Sequence, residues 1–134
     1  MSTSFTILLV DDETDMMREV RSVLARHLVV EGGDRSVIFV EACHGADALS
    51  KVRGLEGRVD LIVSDHQMPV MNGREFAEAL RLSYPSLFRR LVIATASVVP
   101  HDYFLRHEVP VASKFALATQ LVNQVDLMLM RDVV

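Results

Sequence analysis

Asp60–Gly73 reads DLIVSDHQMPVMNG: an apolar run that stops at an acid, Asp65, followed by a loop of turn-forming residues. The run is too short for a helix and too evenly apolar for a strand with one wet face, so it reads as a strand, Asp60–Ser64, buried on both faces. The loop passes Pro69 and ends at the Asn72-Gly73 turn. The same pattern recurs on both sides. Phe5–Val10 (FTILLV) halts at Asp11–Asp12, Ser36–Ala42 (SVIFVEA) is a second strand, Leu91–Thr95 (LVIAT) a fourth and Val111–Ser113 a very short fifth.

Helical stripes fill the gaps. Met17, Val20, Leu24 and Leu28 recur at helical spacing, with Thr14 or Asp15 as cap and Glu31-Gly32-Gly33-Asp34 as the break. Ala46–Val52 is a short helix ending near Gly54, and Arg74–Leu82 puts Phe76, Ala77 and Leu80 on one face. His101–His107 holds one or two turns between Pro100 and Pro110. Ala116–Met130 is predicted as one final helix with Leu117, Leu121, Val125 and Leu129 inward. Strands alternating with helices imply an α/β protein with a parallel sheet covered on both sides, doubly wound by right-handed crossovers. Ligands then bind outside the carboxyl ends of the strands.

Composition narrows the function. The 134 residues are 50% hydrophobic and fit one domain, 1–134. Fourteen Lys+Arg against eighteen Asp+Glu give a formal charge of −4, which disfavours direct nucleic-acid binding. A lone cysteine, Cys43, excludes an internal disulfide framework and reads as a small apolar group near a strand end. No apolar run is long enough for a membrane span, and the N-terminus lacks the pattern of a secretory signal, so a cytoplasmic location without membrane contact is expected. His27, His44, His66, His101 and His107 show no metal-ligand spacing, and His66 reads as an exposed neighbour of Asp65.

Asp11–Asp12, Asp65, Thr95 and Lys114 all fall at the carboxyl ends of predicted strands, so a parallel sheet brings them to one rim. Taken singly, the acids are helix caps or turn formers and the threonine and lysine are ordinary solvated groups. Together they make a charged pocket. Two like charges about 4 Å apart repel by roughly 4 kcal/mol at an effective dielectric of ~20. Lys114 alone cannot offset three carboxylates, so either some are protonated or a divalent cation sits among them. Mg²⁺ suits the site: it takes one or two carboxylates, waters and phosphate oxygens. A carboxylate in such a pocket can act as nucleophile toward a phosphoryl group, with Lys114 and the Thr95 hydroxyl to meet the phosphoryl oxygens.

At LLVDDE (Leu8–Glu13), SDHQMPVMNG (Ser64–Gly73), IATAS (Ile93–Ser97) and Lys114 the sequence resembles the receiver domain of two-component response regulators, over nearly the whole chain. The resemblance implies a flavodoxin-like (βα)5 fold with a five-stranded sheet in the order 2-1-3-4-5. It makes Asp65 the phosphoacceptor, charged by the phosphohistidine of a sensor histidine kinase or a histidine phosphotransfer protein. Asp11 and Asp12 become the Mg²⁺-holding pair, with Asp12 and Asp65 the favoured direct ligands and the Gln67 backbone carbonyl a third. Thr95 becomes the switch hydroxyl, Lys114 the partner of the phosphoryl group, and Gln67 and Ser97 the positions that tune its lifetime. The output is docking to a downstream protein target, with homodimerisation left open. The protein is a signalling domain rather than a true enzyme, either standing alone or cut from a longer chain.

Three departures bear on readout. Lys114-Phe115-Ala116 stands where the family has Lys-Pro-Phe, and Val111 where it has an aromatic residue. Thr95 and Lys114 are close in sequence for the family, which predicts a shortened or irregular fourth helix. Tyr103 or Phe104 is expected to replace the missing aromatic contact. Two competing functions are a pseudo-receiver that binds partners without phosphorylation and a metal-dependent phosphohydrolase using Asp11. The hydrolase signature is incomplete in Asp11-Asp12-Glu13-Thr14.

Overall fold

A computed structural model of the protein describes residues 4–32, 36–96 and 102–131. Strands β1 (Ser4–Val10), β2 (Ser36–Ala42), β3 (Leu61–Ser64), β4 (Leu91–Thr95) and β5 (Val111–Ser113) form one parallel sheet in the order β2-β1-β3-β4-β5. Strand β3 starts one residue later than its apolar run suggests. Asp60 is used as a latch: its N–H donates to the Thr6 carbonyl and its carboxylate accepts from the Thr6 N–H, both at 2.8 Å.

Alternation along the strands sends side chains into two cores. Phe5, Ile7 and Leu9 of β1 pack with Met17, Val20, Leu24 and Leu28 of α1 (Thr14–Gly32) and with Val125 and Met128 of α6 (Val122–Arg131). Leu8 and Val10 face the other way, onto Ala48 and Val52 of α2 (Gly45–Gly54) and Phe76, Ala77 and Leu80 of α3 (Gly73–Ser83). The sheet is thus apolar on both faces, as its uninterrupted runs require.

Local chemistry moved several boundaries. Thr14 and Asp15 are the first residues of α1 rather than its cap, while Asp11 Oδ1 accepts from the Glu13 N–H at 2.9 Å. The helix runs through Glu31 and Gly32 of the expected break; Gly33 and Asp34 lie outside the described residues. Asn72 is no hairpin-like turn residue but the N-cap of α3, its side chain accepting from the Glu75 N–H while Glu75 accepts from the Asn72 N–H. This reciprocal box was readable as Asn72-x-x-Glu75. A one-turn helix, α4 (Pro85–Phe88), was not anticipated; Pro85 at its first turn is the signal.

The helix between β4 and β5, α5 (Asp102–Arg106), has five residues, the abbreviation that the sequence implied. The stretch predicted as one helix from Ala116 is three pieces. A 3₁₀ turn (Lys114–Ala116) and a π-helical turn (Leu117–Leu121) precede α6. The buried face accordingly runs Leu117, Leu121, Val125 and Met128, and Leu129 is only partly covered.

Candidate functional site

Register assembles the site. Val10 pairs with Ser64, so Asp11 and Asp65 leave the sheet side by side, and Thr95 pairs with Ser113, the residue before Lys114. Backbone bonds hold both acids: the Asp11 N–H donates to the Ala42 carbonyl at 3.0 Å and the Asp65 N–H to the Val10 carbonyl at 2.8 Å. Lys114 Nζ lies 2.9 Å from Asp11 Oδ2 and 3.2 Å from Asp65 Oδ2. One carboxylate oxygen each from Asp11, Asp12 and Asp65 lie within 4.8 Å of one another. Asp11, Asp65, Thr95 and Lys114 are buried, and Asp12 is exposed.

Burial, and next the Asp11 carboxylate, push the Asp65 carboxyl above its ordinary range, against the opposing pull of Lys114. Burial works against the Lys114 charge, but the carboxylates of Asp11 and Asp65 outweigh it and raise its pKa. One lysine against three acids leaves room for a cation. The donors are hard oxygens, and exposed Asp12 opens the cluster to a hydrated ion, so the residues present fit Mg²⁺.

The loop after β3 is shaped by contact with the backbone of Asp65 and His66. The Gly73 N–H donates to the His66 carbonyl at 2.7 Å. A Cβ at Gly73 would stand 2.5 Å from the Asp65 carbonyl oxygen and 2.8 Å from the His66 Cα, which is why this position needs glycine. Between them Val70 has φ +65° in a γ-turn closed by the Met71 N–H on the Pro69 carbonyl at 2.6 Å.

On the other side, the Ser113 N–H donates to Gln120 Oε1 at 2.8 Å and the Phe115 N–H donates to Ser113 Oγ at 3.1 Å. These bonds seat Lys114 without the family's proline; the Phe115 side chain is 82% exposed.

Two expectations about single side chains fail. His66 is half-buried, its ring edge-on to Phe104 at 5.4 Å, while its N–H donates to Asp65 Oδ1 at 2.8 Å. Cys43 is exposed rather than packed; its N–H donates to Asp47, whose carboxylate also accepts from the thiol. Gln67 has an exposed side chain two residues beyond Asp65, and Ser97 lies outside the described residues.

A parallel 2-1-3-4-5 sheet with an aspartate, an acidic pair, a threonine and a lysine at its carboxyl rim is the layout of a receiver-type signalling domain. The chain belongs to the response regulator receiver domain family, whose model matches residues 7–103. It is 36% identical over 88 residues to "Sensor kinase CckA" of Brucella abortus (strain 2308), a match covering 65% of this chain and 8% of that one. It is 37% identical over 75 residues to "Two-component response regulator ORR41" of Oryza sativa subsp. japonica, covering 56% and 54%. Each match spans less than two thirds of the relative's own length. The fold is that of chemotaxis response regulator CheY4 of Vibrio cholerae, with a TM-score of 0.74 at 24% identity over 94% of this chain and 99% of that one. Lys114 and β5 lie beyond the stretch that the family model matches, in the part of the chain where the sequence departs. Among the described residues no helix is long and apolar enough to cross a membrane.

Proposed function

We propose that the chain is the phosphoacceptor switch of a two-component phosphorelay, with Asp65 as acceptor. The observation that carries this reading is the Asp65 carboxylate, buried at the sheet rim with Lys114 Nζ at 3.2 Å and oxygens of Asp11 and Asp12 in the same small cluster. The donor is the phosphohistidine of a sensor histidine kinase or histidine phosphotransfer protein. An Asp65 carboxylate oxygen attacks phosphorus, a new O–P bond forms, and the donor's N–P bond breaks with its electron pair left on the imidazole. Lys114 shifts from the Asp65 carboxylate to the incoming phosphoryl oxygens, and the Thr95 hydroxyl donates to another.

Asp12, Asp65 and the Gln67 carbonyl would hold Mg²⁺, with Asp11 behind them. The ion supplies positive charge that favours ionised Asp65 and neutralises the transferring phosphoryl oxygens. Asp11, at 2.9 Å from Lys114 Nζ, tethers the lysine while it turns toward the phosphoryl group.

Readout follows a route suited to this chain. Val111 is 38% exposed and offers no ring. Instead Phe104 touches the His66 ring beside the acceptor, and Tyr103 stands edge-on to Phe104 at 5.6 Å. Phosphorylation therefore changes the packing of α5 and the surface that a downstream target docks on.

Intact-mass measurement after incubation with acetyl phosphate and Mg²⁺ tests the assignment. Wild type is expected to gain one phosphoryl group and Asp65→Asn none. If wild type stays unmodified with both acetyl phosphate and a phosphohistidine donor, the chain is a non-phosphorylated interaction module.

A further inference from the structure

The ends of β4 and β5 that point away from Asp65 frame a second concavity, a groove of about 950 Å³ between α4, the last turn of α3 and the segments entering those strands. Its charged lining is Arg81, Arg89, Arg90 and His107 against one acid, Glu108. In a chain of formal charge −4, three guanidinium groups gathered in one groove run against the overall sign. Arg81 is tied to Glu78, and Arg90 is anchored by its Nη1 donating to the Asp60 carbonyl at 3.2 Å. Arg89 is exposed and makes no ion pair among the described residues. The remaining lining is Pro85, Ser86, Pro110, Met128 and one aromatic ring, Phe88, which stands edge-on to the His107 imidazole at 6.1 Å.

We propose that this groove binds a nucleotide, its phosphates on Arg89 and Arg90 and its base against Phe88 and His107. Guanidinium groups match phosphate oxygens in pairs, and an aromatic ring accepts a base face. The volume suits a small ligand, since such sites occupy about 300–1,000 Å³. It is far larger than a lone phosphate needs, and three cations make too short a track for an extended acidic peptide. The site is independent of Asp65, at the opposite end of the sheet.

Titration calorimetry with ATP and with GTP tests it, in EDTA so that the acidic rim recruits no phosphate through a metal. Saturable one-to-one binding of at least one nucleotide is expected. Arg89→Glu should weaken it about tenfold or more, the loss of one charge-assisted contact. Glu108→Gln should tighten it, and Asp65→Asn should leave it unchanged. Both groove substitutions lie at exposed positions, and circular dichroism checks that each variant is folded. Failure of both nucleotides to saturate at millimolar concentration would overturn the proposal. So would binding indifferent to Arg89→Glu, pyrophosphate binding as tightly as the nucleotide, or a poly-glutamate peptide binding where nucleotides do not.

Discussion

Burial of the Asp65 carboxyl decides how the resting protein responds to pH. Its folded-state pKa is raised, so between the ordinary carboxylate value of 3.8 and that higher value the folded state holds more protons than the unfolded one. Stability from this group therefore falls as pH rises through that window, and at neutral pH the buried charge is a net cost. In metal-free buffer Asp65→Asn is expected to raise the melting temperature at neutral pH, with the gain shrinking as pH falls toward 3.8. Lys114 has the opposite sign. Its raised pKa stabilises the fold below the unfolded value of 10.5, a contribution lost as pH climbs through the folded value. Lys114→Met leaves two buried carboxylates unpaired and is expected to cost about 3–5 kcal/mol in urea denaturation at neutral pH, partly recovered when Asp65→Asn is added. Sequence position was enough to name Asp11, Asp12, Asp65, Thr95 and Lys114, because register converts strand ends into neighbours. It could not say that His66 turns inward: a ring's burial depends on what packs over it, here Phe104, which is distant in sequence.

The elements that carry the site are short, and their ends do the positioning. Helix α3 starts against the loop after β3, where Gly73 passes under the Asp65 carbonyl. Gly73→Ala forces that backbone apart and should destabilise by about 1–3 kcal/mol, read from chemical denaturation. On the proposed reading helix α5 is the readout element. The chain has no tryptophan and two tyrosines, so in a Tyr84→Phe background Tyr103 reports alone. Acetyl phosphate with Mg²⁺ is expected to change its emission, and Phe104→Leu should abolish that change while leaving the mass gain intact. Constant emission on phosphorylation of the parent protein would exclude α5 as the reader. Strands β2, β4 and β5 have the bounds of their expected runs and β1 starts one residue earlier, at Ser4, although β2 is buried on neither face along most of its length. The C-terminal stretch did not keep its expected form, since the 3₁₀ and π-helical turns after Lys114 preserve an apolar stripe that resembles one continuous helix.

For the molecule as a whole, the proposed Mg²⁺ binding would link cation concentration to folding through the acidic rim. Mg²⁺ should raise the melting temperature, by the equivalent of about 2.7 kcal/mol at a concentration one hundred times its Kd. The shift should shrink in Asp12→Asn and as pH falls through the raised Asp65 pKa, where protons displace the ion. Thermal melts across pH and Mg²⁺ concentration check both. The overall architecture was legible because runs of apolar residues demand cover on two faces; the latch at Asp60 was not, being set by a carboxylate reaching β1.

The two charged concavities sit at opposite ends of the same sheet, carboxylates at the rim after β1 and β3 and guanidinium groups where the chain enters β4 and β5. Such a body feels a torque in an external field and does not tumble evenly beside a charged surface. A positively charged neighbour turns the Asp65 pole toward itself before touching it, and salt that shortens the screening distance to about 8 Å or less removes this alignment.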